Sequence, residues 1–121
     1  MRIGVDLVKN ERVKKWDKST ILDTLFSSAE KELILSVQGT RRIEMIAGRF
    51  AVKEAVLKAF RLGINNGIEL DEIETRMAED GSPVLVFRGK AKAYVQSMGI
   101  QDYSVSISHD AGLTTAVVIL A

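Results

Sequence analysis

The stretch from Thr40 to Arg61 constrains this chain most, because it reads as one long helix, free of proline and apolar on two opposite sides. At about 100° per residue, Ile43, Ile46, Ala47, Phe50 and Leu57 fall on one stripe. Met45, Val52, Val56, Ala59 and Phe60 make a second apolar surface roughly opposite. A helix apolar on two sides is buried on two sides. In a chain of 121 residues it is expected to be wrapped by a sheet and also packed at a subunit interface. Inside the first stripe stands Glu54, with Lys58 one turn on. A carboxylate in a core-facing position needs a cation or strong donors, because burying it alone costs several kcal/mol.

The flanking segments are shorter. RIGVDLV near the start alternates Ile3, Val5 and Leu7 on one face with Gly4 and Asp6 on the other, the period of a strand. Asn10 to Phe26 is mixed and in part helical. Ser27 or Ser28 is placed to cap a short helix, SAEKELILS, with Glu30 and Glu32 in the first turn, where the helix dipole favours carboxylates. The long helix is expected to run from about Thr40 to Arg61, stopped by the Gly63–Gly67 region that follows. Beyond it, IETRM and PVLVF flank AEDGS, whose Asp-Gly pair signals a hairpin. GKAKAYVQSMG reads as a helix ended by Gly99, and YSVSIS and TTAVVILA as strands joined by HDAGL. Helices interspersed with antiparallel strands predict an α+β fold, an antiparallel sheet packed around a long central helix. No repeat, low-complexity tract or linker divides the chain, so residues 1–121 are expected to form a single domain.

A hydrophobic content of 46% and one proline argue against disorder, and the lack of cysteine excludes disulfides and a cysteine-based zinc site. The opening MRIGVDLVKN lacks the apolar core of a secretory leader, and no run approaches the roughly 18 apolar residues of a membrane span. A soluble, cytoplasmic protein is expected, with no membrane partner. A net charge of +1 gives no overall footprint of nucleic-acid binding. Residues 9 to 18, KNERVKKWDK, nevertheless hold five basic and two acidic side chains, and Arg41 and Arg42 follow. This is either a solvated helix face or a dock for an acidic partner.

Asp6, in mid-strand, and Glu54 are carboxylates inside apolar patterns. Two such groups suit Mg²⁺, which takes one or two protein carboxylates and completes its octahedron with water and phosphate oxygens. The plain alternative for Glu54 and Lys58 is a helix ion pair worth a few tenths of a kcal/mol. His109 closes the strand SVSIS at its turn, with Ser106 and Ser108 beside it, but no G-x-S-x-G elbow supports serine hydrolysis. G-x-x-x-x-G-K-[ST], G-x-G-x-x-G and H-E-x-x-H are also absent.

Taken in order, GVDLV at 4–8, FSSAE at 26–30, GRFAVKEAVLKAF at 48–60, IE with DGSPVLVF at 73–87 and VSISHD at 105–110 resemble the holo-acyl-carrier-protein synthase family from end to end. The F-A-x-K-E-A-x-x-K core is the specific part. The resemblance implies a 4'-phosphopantetheinyl transferase of fatty acid biosynthesis. Such an enzyme moves the phosphopantetheine arm of coenzyme A onto a serine of apo acyl carrier protein and releases adenosine 3',5'-bisphosphate. It further implies Mg²⁺ dependence and a homotrimer with active sites between neighbouring subunits.

By the same resemblance, Asp6 and Glu54 are the metal ligands, and Lys58 lies near the transferring phosphate. Asp6, Glu54 and Lys58 are thus the catalytic set; on chemical grounds the serine proton needs a base, for which Glu54 acting through a metal-bound water is the reading and direct abstraction by the carboxylate the competitor. Arg49 and His109, with Lys58, would hold the phosphates of coenzyme A. Arg12, Lys14 and Lys15 lie where the family meets its acidic carrier protein. One departure stands out: after KAF, relatives commonly carry a glycine-rich G-T-G turn, whereas Arg61 and Leu62 precede Gly63 here. The alternative reading is a non-catalytic carrier-protein or nucleotide-binding module on the same scaffold; a Mg²⁺-dependent phosphohydrolase using the same carboxylates is another.

Overall fold

The computed structural model describes residues 1–63 and 65–121. Strand β1 (Arg2–Lys9) leads into α1 (Asn10–Lys14), α2 (Ile21–Leu25), α3 (Ser28–Leu35) and the long α4 (Gly39–Phe60). After a 3₁₀ turn at Leu70–Glu72 come β2 (Ile73–Met77), β3 (Pro83–Phe87), α5 (Gly89–Ser97), β4 (Tyr103–Asp110) and β5 (Leu113–Leu120). Strands β1, β5 and β4 form an antiparallel sheet in that order, while β2 and β3 form a separate hairpin. The expected α+β architecture around a long helix is present.

Helix α4 lies across the inner face of the three-stranded sheet, and its other side is covered by α1, α3 and β2. Met45, Ile46, Ala47, Phe50, Val52, Val56, Ala59 and Phe60 are all buried, so both apolar sides are covered within one chain. The two-sided burial was legible; the expected helix at a subunit interface is not required. The unpartnered apolar surface is instead the outer face of the sheet, where Ile3, Val5, Leu7, Val117 and Ile119 are exposed.

That outcome turns on Gly4. A Cβ at this position would stand 1.8 Å from the carbonyl oxygen of Ala55, so only glycine lets β1 lie directly on α4. Gly4 and Val8 therefore face inward and the larger Ile3, Val5 and Leu7 outward. Asp6 shares the inward face, which is how a mid-strand aspartate reaches the helix.

Helix α3 begins with a capping box: Ser27 Oγ accepts from the Glu30 amide at 3.2 Å, and Glu30 Oε1 accepts from the Ser27 amide at 3.0 Å. Expected only as a first-turn carboxylate, Glu30 is fully buried and meets Lys53 Nζ at 2.6 Å. Lys53 Nζ also donates to the carbonyls of Leu70 and Ile73, and Glu30 Oε2 accepts from the Thr75 amide. One ion pair with its hydrogen bonds satisfied thus ties α4 to α3 and β2.

The helix runs from Gly39 to Phe60 with Arg61 as its cap, within a residue of the expected span; the Gly63–Gly67 region beyond it includes Ile64, outside the described residues. Arg61 adopts the left-handed conformation, φ 60°, and closes the last turn through its amide to the Lys58 carbonyl. The Phe60 carbonyl, left without a helical partner, accepts from the Arg2 guanidinium at 2.8 Å and the Tyr94 hydroxyl at 3.0 Å.

The last hairpin is tighter than its sequence suggests. Strands β4 and β5 continue to Asp110 and from Leu113, joined by Ala111 and Gly112, both with positive φ (48° and 77°). Such a two-residue turn matches the twist of its strands. His109 consequently sits within β4, opposite Thr114, instead of at the turn. Among the described residues no helix is long and apolar enough to cross a membrane.

Candidate active site

Asp6 points from β1 toward the last turns of α4, and its Oδ1 lies 2.9 Å from Lys58 Nζ, which also donates to the Val5 carbonyl at 3.1 Å. The Asp6 side chain is 14% exposed and that of Lys58 57%, so the amine covers the carboxylate from the solvent side. Lys58 therefore pairs across to the strand, and not with Glu54 one turn earlier. Glu54 is half-buried beside them. Burial, then the nearby charge of Asp6, pushes its carboxyl above the ordinary range, against the opposing pull of Lys58 and Arg12.

Arg12 reaches this cluster from α1, its guanidinium 5.5 Å above the Phe50 ring. Lys14, in α1, and Lys15, just after it, are exposed. The expected basic surface is thus present on this helix, with Arg12 nearest the carboxylates. Arg42 does not belong to it: it is buried and donates to the Val37 carbonyl and to Asp17, bracing the start of α4.

Asp6 and Glu54 present hard oxygen donors close enough to perturb one another. Among the described residues no group of three or more His, Cys, Asp or Glu converges on one point. A cation here would have to draw further ligands from water and substrate, which is the habit of Mg²⁺ and not of structural zinc. The donor set therefore fits Mg²⁺, with Lys58 supplying positive charge at Asp6 in the present arrangement.

Arg49 and His109 come together elsewhere. With Arg41, Met45, Gly48, Met77 and Pro83 they line a cavity of about 180 Å³. Arg49 is buried, and among the described residues its Nε has no hydrogen-bond partner. Burial is the main influence lowering its pKa, joined by Arg41 and countered by Glu30; a guanidinium stays charged regardless. A buried cation with an unmet donor, a second arginine and a histidine suit an anion such as phosphate. Sequence reasoning passed over Arg41 as part of a basic run. Its spacing from Met45, Gly48 and Arg49 (i, i+4, i+7, i+8) puts all four on one helix face and is the signal that would have found it.

The two groups do not meet within one chain. Along α4, Arg49 and Glu54 are separated by about 7.5 Å of rise and about 140° of rotation. In the sheet, Asp6 and His109 belong to opposite edge strands with β5 between them, roughly 10 Å apart. A larger cavity, about 870 Å³, lies between α1, the start of α4 and the β4–β5 turn, lined by Lys9, Lys14, Thr40 and Ile43 among others. It contains none of Asp6, Glu54 or Lys58.

The profile of the 4'-phosphopantetheinyl transferase superfamily matches residues 2–114. The holo-[acyl-carrier-protein] synthase of Syntrophus aciditrophicus is 42% identical over 123 residues, covering 97% of this chain and 92% of the relative. Among solved structures, the Helicobacter pylori holo-[acyl-carrier-protein] synthase in complex with coenzyme A superposes with a TM-score of 0.81 at 32% identity, covering 98% of this chain and 99% of that one. The Bacillus anthracis holo-(acyl-carrier-protein) synthase in complex with CoA (3',5'-ADP) gives 0.82 at 28% identity, covering 98% and 94%. With residues 2–114 matched by the family profile and nearly the whole chain aligned with relatives of the same fold, the chain belongs to the 4'-phosphopantetheinyl transferase superfamily.

Proposed function

We propose that this protein is a holo-acyl-carrier-protein synthase. It transfers 4'-phosphopantetheine from coenzyme A to a serine of apo acyl carrier protein, in fatty acid biosynthesis in the cytoplasm. The observation that carries the reading is the half-buried pair Asp6 and Glu54 with Lys58 at the same end of α4. Relatives named for this activity, over nearly the whole chain, support it.

The serine oxygen forms a bond to the phosphorus bearing pantetheine. The bond from that phosphorus to the oxygen of the 5'-phosphate breaks, and adenosine 3',5'-bisphosphate leaves. Glu54, held with a raised pKa, is suited to take the serine proton. Lys58 donates to the phosphate oxygens where charge builds, moving off Asp6 to do so. Arg49, Arg41 and His109 bind the phosphates of the nucleotide. Arg12, Lys14 and Lys15 orient the acidic carrier protein by charge. Asp6 and Glu54 would hold Mg²⁺, which when bound supplies Lewis-acid neutralisation of phosphate charge.

We read the chain as a single catalytic domain that works as a homotrimer. Its catalytic cluster and its phosphate cavity lie on different faces of α4, and the exposed sheet face of Ile3, Val5, Leu7, Val117 and Ile119 offers the surface for assembly. In the trimer, the cavity of one subunit completes the carboxylate cluster of the next.

Intact-mass analysis of apo acyl carrier protein incubated with the protein, coenzyme A and Mg²⁺ tests this. A gain of one phosphopantetheine, lost on chelation and in Asp6→Ala, is expected. No gain across several carrier proteins that carry an accessible serine overturns the reading.

A further inference from the structure

His109 is the only histidine in the chain, and the transfer chemistry leaves one of its ring nitrogens unaccounted for. His109 Nδ1 lies 2.7 Å from Thr114 Oγ1, its cross-strand neighbour on β5. Thr114 Oγ1 in turn lies 2.7 Å from Asn10 Oδ1, at the first residue of α1. Thr114 is fully buried, so no solvent enters this line. A hydroxyl has one proton to give, and an amide oxygen only accepts. Thr114 therefore donates to Asn10, and its lone pair receives the proton carried on His109 Nδ1. The relay runs in one direction and fixes the tautomer: a neutral His109 is protonated at Nδ1, whereas a free histidine side chain prefers Nε2–H.

We propose that Thr114 and Asn10 are positioning residues that reserve His109 Nε2 for the cavity it shares with Arg41 and Arg49, and so make phosphate binding there depend on proton uptake. This rests on the reading of that cavity as the nucleotide-phosphate site. With Nδ1–H committed to Thr114, a neutral ring turns a lone pair toward the cavity, which repels phosphate oxygens. Only the imidazolium donates from Nε2.

The charged groups facing the ring are Glu44, Arg41 and Arg49, all from α4. Thr114, Asn10 and the hairpin residues Met77 and Pro83 are uncharged. Burial first, then the two arginines, lowers the pKa of the ring against the pull of Glu44. The free ring is thus neutral at pH 7, and an arriving phosphate brings the proton with it. The sign for the fold follows: the unfolded chain takes up a proton more readily, so without nucleotide stability declines as pH falls through the ordinary histidine value of about 6.5 toward the lower folded one.

The ring nitrogens of the ¹⁵N-labelled protein test the relay directly, because one histidine gives one pair of signals. Above its titration, Nδ1 is expected protonated and Nε2 bare; the reverse in the wild type overturns the proposal without recourse to any variant. Thr114→Val should release the ring to the Nε2–H form, and Thr114→Ser should restore Nδ1–H. Adenosine 3',5'-bisphosphate is then titrated across pH, with His109→Gln giving the baseline set by the phosphate's own ionisation. Wild-type affinity is expected to fall below that baseline trend by up to about tenfold per pH unit on the alkaline side, the limit for one coupled proton. Thr114→Val, whose neutral ring already carries Nε2–H, should bind without proton uptake and lose the extra alkaline decline, following the slope of the His109→Gln baseline; a Thr114→Val profile as steep as the wild type overturns coupling through Thr114. Affinity that tracks the His109→Gln baseline while the nucleotide still shifts the ring signals overturns proton coupling. Ring signals that show the Nδ1–H tautomer yet ignore the nucleotide overturn the phosphate role, and with it the reading of the cavity.

Discussion

Glu54 and Arg61 show how single side chains divide between chemistry and fold. The Glu54 carboxylate is disfavoured by burial and by Asp6, so its charge costs the folded state something and is retained for use. In Glu54→Gln, turnover in the carrier-protein assay should fall by about 10²–10⁴, the usual contribution of a general base. The urea midpoint should hold or rise. Undiminished turnover would remove Glu54 from the reaction. Arg61 occupies a left-handed helix terminus that glycine adopts without strain. Arg61→Gly should therefore raise stability by about 0.5–1 kcal/mol, read from the same denaturation midpoint. A lower midpoint would mean the arginine side chain makes contacts that outweigh its backbone strain.

At the scale of elements, the contact of β1 with α4 places the site. Gly4 lets the strand back against the Ala55 carbonyl, and two residues on Asp6 comes within reach of Lys58 and Glu54. Gly4→Ala drives a methyl group into helix backbone that cannot yield. It is expected to destabilise by about 3 kcal/mol, at the upper end for overpacking. The fraction that folds should also lose activity, because Asp6 is displaced; near-wild-type stability by urea denaturation would disprove the close approach. The Lys53–Glu30 pair serves a different face of α4. Lys53 neighbours Glu54 in sequence but points to α3 and β2. Periodicity marks both residues as charged positions of one helix and cannot say which of them is internal bracing.

For the molecule as a whole, the proposed assembly rests on the exposed apolar face of the sheet. Val117→Asp places a carboxylate in the middle of that face, on the central strand. Sedimentation velocity should show a trimer for the wild type and a monomer for the variant. The circular dichroism spectrum should be unchanged, since the core of α4 is covered within each chain. Transfer activity should be lost on dissociation and recover at no attainable concentration if the charge is buried unpaired. A wild type that is monomeric and fully active would remove the shared site.

The sequence by itself determined the local grammar of this protein. Strand and helix periods, the Ser27 cap, the Asp80-Gly81 turn and the order of the recognisable segments are all written in neighbours a few residues apart. It also marked Asp6, Glu54 and Lys58, because charge stands out against an apolar pattern at short range. Tertiary structure alone decided which face of β1 turns inward, since that rests on a missing Cβ at Gly4 meeting a carbonyl more than fifty residues away. It alone separated His109 and Arg49 from the carboxylates, and it alone joined Asn10 to Thr114 and His109 across 104 and 5 residues. Such contacts depend on how sheet and helix are stacked, and no periodicity along a single segment encodes that.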